Sequence, residues 1–303
     1  MARGSSLGTR MSGAMNKPLI PHSIAKADPL WPAPAWACDA HLHILDAALD
    51  ARSTPAQDAT VSQYQQVQAH LGTQRAVVVQ PRLYGTDNRV TLDAIARLGV
   101  AHTRGIAVVH PDITNAELVA LHAGGIRGVR LSLYTPHQAA VNFEMTEPLA
   151  HRVQHLGWHL QLHWTADQIA EHAALLLRLP TPLVFDHLAR LPVQQGQRHP
   201  AFAVVSELMQ RGRAWVKLSG AYLCSTQAPG SGYTDLTDMA QAWVALAPNR
   251  LVWGSDWPHV TEAHAKPDDS ELFDLLHTWT GSEAIRHRVL VDNPAELYGF
   301  NPV

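Results

Sequence analysis

The stretch RAVVVQPRLYGTDNRVTLDAIARLGV, from Arg75 to Val100, holds the unit from which the chain is built. Residues 75–80 are a short β-branched run closed by a proline, the pattern of a strand buried on both faces of a parallel sheet. Polar turn residues follow. Residues 88–98 then place apolar side chains at three- and four-residue steps, and Gly99 stands in a C-cap position. Together they make one strand–helix unit.

The same unit recurs on both sides. Short apolar runs lie at 37–43, 105–110, 128–133, 158–163, 183–186, 214–219 and 250–254, which with 75–80 makes eight. Helical patterns lie between them at 61–71, 114–122, 145–156, 166–178, 200–211 and 235–246, and two more near 271–279 and 282–297 close the chain. Eight alternations predict an α/β protein whose parallel sheet closes into a (β/α)8 TIM barrel, a single domain over residues 37–303. A doubly wound open sheet is the alternative, but it would carry a glycine-rich phosphate loop after its first strand, and here that strand ends in His-Leu-His at 41–43. No repeat with a fixed period of about 20–50 residues is present. Residues 1–36 read as an N-terminal arm, partly disordered, without the apolar core of a secretory signal.

Composition narrows the class further. With 23 Lys and Arg against 26 Asp and Glu, the net charge of −3 offers no broad basic face for nucleic acid or an anionic membrane. Apolar residues make up 46% of 303, enough for a sizeable core without disulfides, and the two cysteines, Cys38 and Cys224, form no framework and read as small packed hydrophobes. A cytoplasmic globular protein is expected. Its oligomeric state stays open, a homo-oligomer included.

Nineteen histidines make any single one weak evidence. A barrel sorts them, because residues at the C-terminal ends of its strands face the catalytic mouth. His41 and His43 are two apart at the end of the first strand, His163 ends the fifth, His187 follows the sixth and Asp256 follows the eighth. Each alone reads as a hydrogen-bonded structural residue. Five at one end of four strands read as a site, and imidazole with carboxylate is the usual ligand set for a catalytic zinc or similar divalent ion. Cationic and polar groups near the same end are candidates for holding substrate: Arg82 and Tyr84 after the second strand, Arg127 and Arg130 on the fourth, Arg190, Tyr222 and His259 on later loops. Arg127 and Arg130, three apart, point to opposite faces of a regular strand, so at most one reaches the lumen. Lys217, inside the seventh strand, is balanced between pairing with an acidic neighbour and a role in the site.

Three segments carry a family resemblance: DAHLHI at 39–44, VFDHLAR at 184–190 and LVWGSDWPH at 251–259. They resemble the amidohydrolase superfamily. VVVQPRLYGTDNRVTLDAIARLG at 77–99, RGVRLSLY at 127–134 and LVDNPAELYGF at 290–300 narrow this to the branch that holds 2-pyrone-4,6-dicarboxylate lactonase, D-galactarolactone isomerase and sugar-acid lactonases. The resemblance runs from about Trp36 to the C-terminus. It implies an amidohydrolase-type barrel that opens the ring of a small carboxylated lactone, a sugar-acid lactone or an intermediate of aromatic degradation. Asp256 would be the general base, His187 would polarise the carbonyl or bind metal, and His41 and His43 would line the floor with or without an ion.

Departures from the family pattern sharpen this. Leu133 and Tyr134 stand where binuclear members carry a bridging lysine, so two metals are not expected. His163 replaces the tyrosine of the metal-free pyrone lactonase, which tilts the reading toward one divalent ion, zinc first, against none. Leu223 replaces a substrate-binding arginine, which argues against the pyrone dicarboxylate as substrate. Lactone isomerisation, nonoxidative decarboxylation and non-catalytic binding of a small molecule are the competing readings.

Overall fold

The computed structural model describes residues 18–24 and 26–301. Its eight strands are β1 Cys38–Leu42, β2 Arg75–Val79, β3 Thr103–Ala107, β4 Ile126–Ser132, β5 His159–His163, β6 Leu183–Phe185, β7 Ala214–Leu218 and β8 Leu251–Trp253. All pair in parallel with their neighbours in chain order. The seam between the last and first strands closes through loop backbone: Asp256 N–H donates to His41 O at 2.8 Å and His43 N–H to Trp257 O at 2.8 Å. Gly254 permits that approach, because a Cβ there would lie 2.6 Å from His41 Cβ and 2.7 Å from its backbone nitrogen.

Helices surround the sheet: α1 Val61–Leu71, α2 Arg89–Leu98, α3 Asn115–Ala123, α4 Thr146–Val153, α5 Ala166–Glu171, α6 Ala173–Arg178, α7 Pro200–Gln210, α8 Ala221–Cys224, α9 Thr237–Leu246, α10 Asp269–Thr280, α11 Glu283–His287 and α12 Asn293–Tyr298. Two expected helices are broken. The run 166–178 is two helices because His172 leaves helical geometry (φ −94°, ψ 18°), and its ring stacks on Phe143 with centroids 4.5 Å apart. The run 282–297 is three pieces, with a π-helical turn at Arg288–Asp292, since Pro294 has no amide hydrogen for the preceding turn. The short α8, which carries Tyr222, has no amphipathic period long enough to read from sequence.

Strand alternation divides the core in two. One buried cluster fills the space between strands and helices, and a smaller one, including Cys38, Ala40, Val77, Val79, Ile106, Val184, Trp215 and Val252, fills the lower lumen with Tyr298 and Phe300. The guanidinium groups of Arg75 and Arg104 lie over the Phe300 ring at 5.1 and 4.6 Å. Cys38 is buried, Cys224 half-buried, and neither forms a disulfide.

Part of the N-terminal arm is docked. Leu30 N–H donates to the Asp274 carboxylate on α10, and the Arg286 guanidinium donates to Trp31 O and Pro32 O. Residues 1–17 of the arm, and with them part of the stretch expected to be partly disordered, lie outside the described residues. Among the described residues no helix is long and apolar enough to cross a membrane.

Candidate active site

Alternation from Cys38 and Ala40, both in the lumen, would turn His41 and His43 toward the helices. A register shift between Asp39 and Leu42 prevents this, and both rings enter the lumen. Asp39 holds the bulge, accepting from His41 N–H, Ser255 N–H, Ser255 Oγ and Tyr64 OH. His41 Nε2 and His43 Nε2 are then 3.3 Å apart. Asp256 reaches them from the β8 loop, its Oδ1 3.5 Å from His41 and 3.7 Å from His43. Its Oδ2 accepts from Tyr222 OH at 2.7 Å and lies 3.8 Å from His187 Nε2.

His187 arrives by a second departure from regular backbone. Residues 187–190 all have positive φ, between 51° and 58°, a left-handed turn that non-glycine residues rarely sustain. The turn swings the His187 ring over Gly220, where a Cβ would sit 2.6 Å from Nδ1, and sets Nδ1 3.0 Å from Ser219 Oγ. It also brings Arg190 over the Tyr134 ring at 4.4 Å. Asp186, by contrast, follows alternation into the lumen, so the two neighbours both face the site.

His163 stacks on Tyr134 and holds Ser132 Oγ at 3.1 Å from its Nδ1. Its ring centroid is 5.5 Å from that of His187. Arg130 NH1 donates to Gln80 O, and its NH2 lies 3.7 Å from Asp186 Oδ2. The buried Nε of Arg130 and NH1 of Arg190 have no hydrogen-bond partner among the described residues. A cavity of about 20 Å³, room for roughly one water, lies between Arg82, Arg130 and Ser132.

Three expected substrate contacts are corrected. Arg127 takes the outer face of β4 and donates to His122 O and Ile126 O, while Arg130 takes the lumen. Tyr84 is fully buried, its hydroxyl accepting from Asp46 N–H, so it pins the loop after β1. His259 is buried too, 3.0 Å from Asp269 on α10 and edge-on to Tyr222, behind the site rather than in it. Two groups in the site were not singled out from sequence as certain members. Asp186 stands beside His187 in the VFDHLAR segment, and adjacency on a regular strand argues that only one can face inward. Lys217 lies fully buried beneath His41.

Electrostatics follow from burial. It raises Asp256 to about 6 against the hydrogen bond from Tyr222. Burial, with Arg130 next, lowers His43 and His163 to about 3, and burial foremost drives His41 and His187 well below the ordinary range. The rings are therefore neutral. Burial opposes ionisation of Asp186, but its contacts with His41 and then Lys217 hold it well below the usual carboxylate range.

Neutral imidazoles with a carboxylate suit a divalent cation. His41, His43 and Asp256 form one buried group whose donor atoms lie within 4.8 Å of one another, and His41, Asp186 and His187 form another. A nitrogen pair 3.3 Å apart fits two ligands of one zinc at about 2.0–2.1 Å each. His43 is ready for that role, because its Nδ1 lies 2.7 Å from Val79 O, which keeps the proton there and leaves Nε2 free. His163 belongs to neither group.

A barrel with histidines and an aspartate at the ends of β1, β5, β6 and β8 defines an amidohydrolase, and the chain belongs to that family: the Amidohydrolase profile matches residues 38–300. It is 33% identical to a 4-sulfomuconolactone hydrolase of Rhizobium radiobacter over 276 residues, 88% of this chain and 91% of that one. It is 34% identical to a 2-pyrone-4,6-dicarboxylate hydrolase of Comamonas testosteroni over 286 residues, 89% of this chain and 92% of that one. Among solved structures it resembles an Agrobacterium tumefaciens protein in its apo form, with a TM-score of 0.80 at 26% identity, covering 91% of this chain and all of that one.

Proposed function

We propose that this amidohydrolase is a lactone hydrolase whose substrate is a small lactone bearing an anionic group. The observation that carries this is Asp256, a buried carboxylate near pKa 6 within 3.8 Å of three neutral histidines. A base of that strength is ionised at neutral pH and strong enough to take a proton from water. In the reaction Asp256 removes a proton as the water oxygen bonds to the lactone carbonyl carbon. The ring C–O bond then breaks, and the proton passes from Asp256 to the leaving oxygen. The product is one hydroxy acid or its keto form. His187, fixed by Ser219, is placed to stabilise the carbonyl oxygen. Tyr222 orients the base.

Arg130 and Arg190 offer the unpaired N–H groups that a substrate anion would satisfy, and Arg82 lines the small cavity beside Arg130. The relatives' substrates, a sulfomuconolactone and a pyrone dicarboxylate, are anionic lactones of this kind. If a divalent ion, zinc first, is present, His41, His43 and Asp256 are the residues that would hold it, and it would lower the pKa of water and polarise the carbonyl.

The test is acid release from a panel of sugar-acid lactones, muconolactones, 4-sulfomuconolactone and pyrone dicarboxylate, with Asp256→Asn as control. Ring opening by the wild type alone supports the reading. A product of unchanged mass would replace hydrolysis by isomerisation, released CO2 would replace it by decarboxylation, and binding without turnover would leave a non-catalytic barrel.

A further inference from the structure

The lumen directly under the histidines holds a buried polar set with no part in ring opening. Lys217 Nζ has three hydrogens and three acceptors: Ala40 O at 2.8 Å, Gln161 Oε1 at 2.9 Å and His41 Nδ1 at 3.2 Å. An ammonium group only donates, so His41 Nδ1 must be the acceptor. In a neutral ring the proton then sits on Nε2, the atom that faces His43 and Asp256. A metal ligand needs the opposite arrangement, with the proton on Nδ1 and the Nε2 lone pair free.

An acceptor for that opposite arrangement is in place. Asp186 Oδ1 is 3.4 Å from His41 Nδ1 and 3.6 Å from Lys217 Nζ, and it has no hydrogen-bond partner among the described residues. Its other oxygen accepts from Gln161 Nε2, which holds the carboxylate in position. Moving the ring proton from Nε2 to Nδ1 would let His41 donate to Asp186 Oδ1. The third hydrogen of Lys217 would turn to the same oxygen, and no net charge would change.

We propose that Lys217 and Asp186 act as positioning residues that set the tautomer of His41, Lys217 favouring the form with no Nε2 lone pair for a cation shared with His43 and Asp256, and Asp186 the form that has one. The site's affinity for zinc is therefore set below the three ligands, by which neighbour His41 Nδ1 engages. This holds whether or not the lactone reading does, because neither readout below uses a substrate.

The experiment compares metal-stripped wild type, Lys217→Met and Asp186→Asn by zinc titration against a chromophoric chelator and by nitrogen-15 NMR of the histidine rings, with His41 assigned by His41→Gln. Groups that hydrogen-bond to a metal-ligating histidine shift metal affinity by roughly 10–100-fold. We expect Lys217→Met to bind zinc at least about tenfold more tightly and Asp186→Asn at least about tenfold more weakly than wild type. His41 should carry its proton on Nε2 in the wild type and on Nδ1 in Lys217→Met. A wild-type ring protonated on Nδ1 overturns the proposal, and this reading needs no variant to fold. So does tighter zinc binding in Lys217→Met with the tautomer unchanged, which would mean charge repulsion alone. Equal affinities in all three proteins, or zinc binding by none, also overturn it.

Discussion

In the lower lumen Cys38, Ala40, Val77, Val79, Trp215 and Val252 follow strand alternation and close on Tyr298 and Phe300, an apolar plug made by pattern alone. In the upper lumen the same strands deliver His41, His43, His187 and Asp256, and most of these arrive by leaving the pattern. A bulge turns His41 inward, a left-handed turn swings His187, and Asp256 itself has φ 64°. The contrast separates two demands on one barrel. Packing is satisfied by regular geometry, whereas converging these four polar groups on one point requires backbone that regular strands do not supply.

Substitutions at the two ends should therefore fail differently. The largest effect is expected from Asp256→Asn, which should lower lactone kcat/KM by roughly 10³-fold, within the range for loss of a general base. The same variant should be more stable than wild type at pH 7 when both are metal-free. The folded carboxyl sits at about 6 against 3.8 in the open chain, so its stabilising contribution is complete below about 4 and is lost as pH rises through about 6. On the order of 2–3 kcal/mol is at stake at neutral pH. Urea unfolding at pH 4 and pH 7 checks it, and a stability gain at pH 4 equal to that at pH 7 would refute the cause.

At the opposite end, Phe300→Ala should cost about 3–5 kcal/mol of stability and leave the KM of the folded protein unchanged. A raised KM would mean that the plug shapes the mouth, and the contrast between the two halves would collapse. Arg190→Met should raise KM roughly 10–100-fold for an anionic lactone with little change in kcat, since it removes a contact made equally to substrate and transition state. Gly254→Ala tests the seam between the halves. Its Cβ meets His41 backbone, so a loss of about 1–3 kcal/mol is expected together with reduced turnover. The smallest effect is on the wild-type pH profile: kcat/KM of the metal-free enzyme should be about half its plateau near pH 6 and fall below that as Asp256 takes up its proton.

The sequence alone determined the class of fold and pointed to the strand ends at which candidate site residues gather. β-Branched runs, helical periods and glycine caps are local signals, and eight of them in alternation leave one economical closure. The histidines, Asp256 and the arginines at strand ends were legible for the same reason: a barrel assigns strand ends to its mouth. Orientation was not legible, because it depends on deviations that only packing reveals. Nothing local in CDAHLH announces that a register shift turns His41 inward, and nothing in VFDHLAR announces four left-handed residues that let Asp186 and His187 both face the lumen. The tertiary structure also withdrew Arg127, Tyr84 and His259, each drawn off by a partner distant in the fold or by strand alternation. It placed Lys217 beneath His41, 176 positions earlier in the chain. Long-range hydrogen bonds and the closing of one strand on another decided these points, and neither is written in any single segment.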